Sequence, residues 1–198
     1  MTVDRLPDAA GGRPLAAFID AAQGSVREVR DVDEPQTCYR AIARLSGHLA
    51  AMWRTVYPHA DGQPGPDGPL RAVCLSRARE VEWTLRLFQC QLSGDVTAVG
   101  RSATAVLTSL GQRLDSYWLA ERALVTWVED QLSTESREKL ARKYRRALTC
   151  APTRPHPRSP RTGPLCHGSF WLHSAWDRML DTMDSRPGVG HDFPMPLP

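Results

Sequence analysis

The chain has 198 residues, 22.0 kDa, a formal net charge of +3 at pH 7, 41% hydrophobic residues and 24% charged ones. That length suits one domain of about 100–200 residues with a core that needs no disulfide or metal, and the composition excludes a disordered chain. The longest run without a formal charge, Thr162 to Trp176, is 15 residues, short of the roughly 18–20 that span a bilayer.

Residues 1–13 carry early acids and no apolar segment of the secretory kind, and read as a disordered N-terminus. The five cysteines are odd in number and include no C-x-x-C pair, so they read as reduced, cytosolic thiols. The 16 prolines punctuate the rest, leaving proline-free stretches at 36–57, 70–151 and 165–186 where helices can run. A first helix is predicted over Leu15 to about Arg30. A second carries Tyr39, Ile42, Leu45, Leu49, Met52 and Val56 at helical spacing and ends at Tyr57-Pro58. Residues 61–69 form a Pro/Gly loop. A third helix carries Leu70, Cys74, Val81, Leu85, Phe88 and Leu92. After the turn Ser93-Gly94-Asp95, a fourth is marked by Val96, Val99, Ala103, Val106, Leu110, Leu114, Tyr117, Glu121, Leu124 and Val128, with Gly100 and Gly111 as weak points. A basic helix (about Ser136 to Leu148), a Pro/Arg-rich loop (Ala151 to Pro164) and a last helix (about Leu165 to Met183) follow. No segment alternates as a strand does. The expected fold is all-α: an antiparallel four-helix bundle over 14–132, an extension over 133–186 packing on it, and a disordered tail over 187–198.

Two polar residues interrupt the apolar stripes. His48 lies between Leu45 and Met52, and Glu121 between Tyr117 and Leu124. A buried carboxylate is costly unless paired, hydrogen-bonded or metal-bound. Three readings of Glu121 differ in the sign of Glu121→Leu. An orphan carboxylate gains stability, a partner of a buried Arg loses it, and a metal ligand loses its response to metal. The first is the expectation, because the rest of the stripe is intact.

The segments around the two residues align. Leu45 falls on Leu114, His48 on Tyr117, Met52 on Glu121 and Val56 on Val125, a hint of two repeated hairpins. The pattern L-x-x-H-x-x-x-E, an apolar residue and then Tyr-Pro resembles the hemerythrin-like (His-His-Glu cation-binding) domain over about Leu15 to Leu132. HLAAMWRTVYP from His48 and YWLAERAL from Tyr117 carry the two copies. The resemblance implies a four-helix bundle with inward His and carboxylate ligands for a di-iron centre. Here each copy has lost one ligand: Met52 stands where Glu is expected, and Tyr117 where His is expected. Neither helix that begins a half supplies a further His. Gln23, Glu80, Glu82 and Gln91 are the polar candidates in its place. A full di-iron set is therefore missing. His173 and Asp177, four apart on the last helix, are the candidates to join His48 and Glu121 around one cation, the alternative being a surface ion pair. Cys150, His156, Cys166 and His167 fit no standard zinc spacing.

The expected function is that of a cytoplasmic, non-catalytic, hemerythrin-like protein with a degenerate site, binding no cofactor or a single metal ion, iron if any. The competing expectation is an interaction module. Residues 137–161 hold nine basic residues and one acid, and Arg142, Arg145, Arg146, Arg154, Arg158 and Arg161 are its candidates for phosphate, nucleic acid or an acidic protein. No membrane partner is expected.

Overall fold

The computed structural model describes residues 13–27, 35–60, 68–94, 100, 102–159 and 165–183, whose regular secondary structure is all helical, with no strand among them. The α-helices are α1 (Pro14–Arg27), α2 (Pro35–Thr55), α3 (Gly68–Leu92), α4 (Ala103–Gln131), α5 (Thr134–Thr149) and α6 (Leu165–Met183), with a 3-10 turn at Tyr57–Ala60 after α2. No helix of the described residues is long and apolar enough to cross a membrane. The expected N-terminal and C-terminal disorder, most of the 61–69 loop and Arg161 lie outside the described residues.

Local chemistry explains the boundaries. Pro14 opens α1, where its fixed φ suits the first turn and its missing N–H costs nothing. The Leu15 N–H, exposed by the same geometry, donates to Glu129 Oε1 of α4 at 2.9 Å. Gly94, at φ +66°, closes α3. The fourth helix starts later than its apolar stripe predicts: Gly100 sits at φ +113°, which helical backbone excludes, and Ser102 caps the new start by accepting from the Ala105 N–H at 3.1 Å. Gly111 is inside α4 and does not break it. Ser133 caps α5 in the same way.

The six predicted core residues Leu45, Met52, Leu110, Leu114, Leu124 and Val128 share one buried cluster. α3 packs along α4, and α2 along α5. α1 lies against α2, α4 and α5, and α2 also touches α3. The core does not stop at residue 132. Leu140, Ala141, Tyr144 and Ala147 of α5 are buried within it, which makes the basic helix amphipathic, with its charges on the outer face. Beyond α5 the chain folds back over α2, where Ala151 packs on Ala50 beside Gly47.

Candidate functional site

His48 and Glu121 meet in the centre of the protein. His48 projects from α2 and Glu121 from α4, both fully buried, and His48 Nε2 lies 2.8 Å from Glu121 Oε1. Tyr117, four residues before Glu121 and so on the same face of α4, donates its hydroxyl to the same carboxylate oxygen. On the other side of the imidazole, Nδ1 lies 2.6 Å from the Tyr144 hydroxyl of α5. The chain continues outward from Tyr117: its hydroxyl is 3.2 Å from that of Tyr57, which is 3.5 Å from Cys74 Sγ on α3. Tyr57 is aimed inward by the 3-10 turn that ends α2, and its carbonyl accepts from Arg71 Nε at 3.2 Å. Trp118 meets the His48 ring edge-on at 5.3 Å.

Donor and acceptor capacity orders the hydrogens along this chain. Tyr117 has one hydrogen and gives it to Glu121, so Tyr57 donates to Tyr117 and the Cys74 thiol to Tyr57. On the other arm His48 donates through Nε2 to Glu121, and in the neutral imidazole Nδ1 accepts from Tyr144. Both arms run toward one carboxylate oxygen. Burial enforces the protonated phenols, pushing the hydroxyls of Tyr57, Tyr117 and Tyr144 well above the ordinary tyrosine range, with the nearby Glu121 charge adding to it. Burial likewise pushes the Cys74 thiol up to about 12, so it is an unreactive S–H donor. Glu121 Oε2 is the loose end, buried without a hydrogen-bond partner.

This corrects the orphan reading of Glu121. The carboxylate has two donors, a histidine and a tyrosine, and no arginine. It also bears on metal. A ligand imidazole offers one nitrogen lone pair; here Nε2 carries the proton given to Glu121 and Nδ1 faces the Tyr144 hydroxyl. No group of three or more His, Cys, Asp or Glu suited to a metal occurs among the described residues. Among the described residues, the side chains around His48 and Glu121 do not fit a di-iron centre. Of the polar candidates on α1 and α3, Gln23 accepts from Arg122 at 3.3 Å and Glu80 pairs with Arg113 at 2.7 Å.

His173 and Asp177 do not join His48 and Glu121. They belong to a second cluster, where α6 meets residues 153–159. Asp177 is fully buried. Both its oxygens lie 3.0 Å from His156 Nε2, and one accepts from the Arg154 N–H at 2.9 Å. The neighbour of Asp177 is thus His156, not His173. His173 Nδ1 is 3.0 Å from Ser159 Oγ, and its ring stacks on His156 at 3.9 Å. Asp181 holds the Arg154 guanidinium at 3.0 Å and accepts from Thr153. The side chains of Cys166 and His167 lie outside the described residues.

Of the six candidate arginines, those among the described residues have different settings. Arg154 is committed to Asp181, Arg158 lies over the Trp83 ring at 5.6 Å, and Arg142 faces Glu138 at 3.6 Å. Arg145 is half-buried, which leaves Arg146 exposed on α5.

Tyr57, Cys74 and Tyr144 are the members of the central chain that the sequence does not announce as site residues. Tyr144 had a readable signal, since it shares the spacing of Leu140, Ala141 and Ala147. Cys74 lay on an apolar stripe and looked like any core residue. Searches against protein-family models, curated proteins and solved structures found no match for the chain.

Proposed function

We propose that this chain is a hemerythrin-like four-helix bundle, non-catalytic, whose ligand positions have become a closed hydrogen-bond chain holding no di-iron centre and at most one weakly bound ion. The observation that carries this reading is the 2.8 Å contact between His48 and Glu121. These are the ligand-type residues that the two resembling segments retain, one in each, and they meet across the core. The helix contacts support the bundle: α1 touches α2, α2 touches α3, α3 touches α4 and α4 touches α1, a ring in which α2 and α4 are diagonal. α5 lies against the α1–α2 side and contributes Tyr144 as the stopper on His48. Absence of disulfides at Cys38, Cys74, Cys90 and Cys150 is compatible with a cytoplasmic setting.

Metal analysis and an absorption spectrum of protein purified without an affinity tag test this function. Iron well below one per chain and no near-ultraviolet charge-transfer band are expected. Two irons per chain would overturn it.

A further inference from the structure

The hydrophobic effect alone does not explain how α6 sits. Its inward face carries Ser174, Asp177 and Asp181, all buried, whereas Trp171, Leu172, Trp176 and Met179 are exposed. Polar contacts hold it instead: Asp177 and Asp181 to residues 153–156, and the Arg178 guanidinium to the Thr149 carbonyl at 2.8 Å. The result is a groove of about 1000 Å³ between α3, residues 154–159 and α6. That is the upper end of the roughly 300–1,000 Å³ typical of small-molecule sites.

The lining has a definite chemistry. Trp83 from α3 and Trp176 from α6 both border the groove, 46% and 58% exposed. Folding gains little from indoles left in water, and large exposed aromatics mark binding surfaces. Arg86 and Arg158 line it too. Arg86 reaches Gln89 Oε1 at 3.3 Å and Arg158 lies over Trp83. Among the described residues neither arginine meets a carboxylate. The acid of the lining, Asp177, is fully buried and faces His156 and the Arg154 N–H, so it offers no open negative charge. The open walls are therefore cationic and aromatic.

We propose that this groove binds a small anion with a flat aromatic or heteroaromatic body. The acid group, a carboxylate, sulfonate or phosphate, is held by the Arg86 and Arg158 guanidiniums, whose planar forks match such oxyanions. The ring lies against Trp83 and Trp176. A cation is repelled by the same walls. The groove is separate from the His48 chain, so this inference does not rest on the function proposed above.

Titration of the full chain with 1-anilinonaphthalene-8-sulfonate, benzoate and adenosine monophosphate, read by tryptophan quenching and calorimetry, tests it. Saturable binding of at least one of these acids is expected, with the matching neutral compound (1-anilinonaphthalene, benzamide or adenosine) at least about tenfold weaker. Arg86→Ala and Arg158→Ala should each weaken binding by about tenfold, while Arg142→Ala on α5 leaves it unchanged. Tightest binding of adenosine monophosphate assigns the groove to nucleotides; tightest binding of either other acid assigns it to aromatic acids. Both arginines are exposed, and far-ultraviolet circular dichroism verifies that the variants keep the fold. Binding that both arginine variants leave intact, or no saturable binding up to millimolar concentration, overturns the proposal.

Discussion

Replacing Glu121 by leucine gives the sharpest test of the central hydrogen-bond chain, because the sequence alone favours one sign and the geometry the other. An orphan carboxylate on an apolar stripe is a burden, and leucine relieves it. The carboxylate seen here accepts from His48 Nε2 at 2.8 Å and from the Tyr117 hydroxyl. Leucine strands both donors in a fully buried site, at about 1–3 kcal/mol each. Removing the unpartnered Oε2 and burying methyl groups offsets about 1–2 kcal/mol. The expected net loss is about 1–4 kcal/mol, or roughly 2–15 °C in Tm for a chain of this size. Equilibrium urea unfolding of both proteins measures it, with a shifted midpoint at unchanged slope as the signature. Adding His48→Leu should cost much less in the Glu121→Leu background than in the wild type, since the pair is then already broken. A leucine variant at least as stable as the wild type would refute the hydrogen-bond chain and restore the orphan carboxylate.

Tyr144→Phe leaves His48 Nδ1 without its hydroxyl and should destabilise by about 1–3 kcal/mol, with α-helical content unchanged by circular dichroism. Glu129 supplies a pH test. Burial raises its carboxyl above the ordinary value, outweighing the Leu15 N–H and the Arg13 charge that lower it. The folded state then binds the proton more tightly than the unfolded one, so this group's stability contribution falls as pH rises from the ordinary glutamate value through the raised one. Glu129→Gln keeps an acceptor for the Leu15 N–H and should flatten that slope, read as the difference between wild-type and variant unfolding curves across the window. Chelator should leave the wild-type melting temperature unmoved, since stabilisation by a bound ion would make it depend on metal. A labelled duplex at low salt should bind weakly if at all, because Arg154 is held by Asp181 and Arg142 faces Glu138; steep, salt-sensitive binding would contradict that arrangement.

Much of the helical plan was legible because proline gaps and three-four apolar spacing report directly on helix interiors and buried faces. Leu45 and Leu124 illustrate this, being core residues by spacing and buried in one cluster. The start of α4 was less legible. Val96 and Val99, which lie outside the described residues, continue the apolar stripe, but a stripe carries no information on φ, and the positive φ of Gly100 keeps α4 from extending back through it. At the site, His48 and Glu121 stood out as polar breaks in apolar stripes. That they touch depends on how α2 and α4 face each other, which periodicity within one helix does not encode. Tyr144 lay hidden among arginines, since the charge of its helix drew attention to the outer face. His173 and Asp177 matched a ligand spacing, yet Asp177 faces His156, a proline-flanked loop residue whose position no local pattern predicts.

The most direct measurement is the nitrogen-15-resolved spectrum of the His48 imidazole, recorded before and after adding one equivalent of iron(II). A protonated Nε2, an acceptor Nδ1 and a signal unchanged by iron are predicted from the contacts to Glu121 and Tyr144. Stoichiometric loss or displacement of that signal on adding iron, restored by chelator, would contradict the closed hydrogen-bond chain and return His48 to the role of a metal ligand.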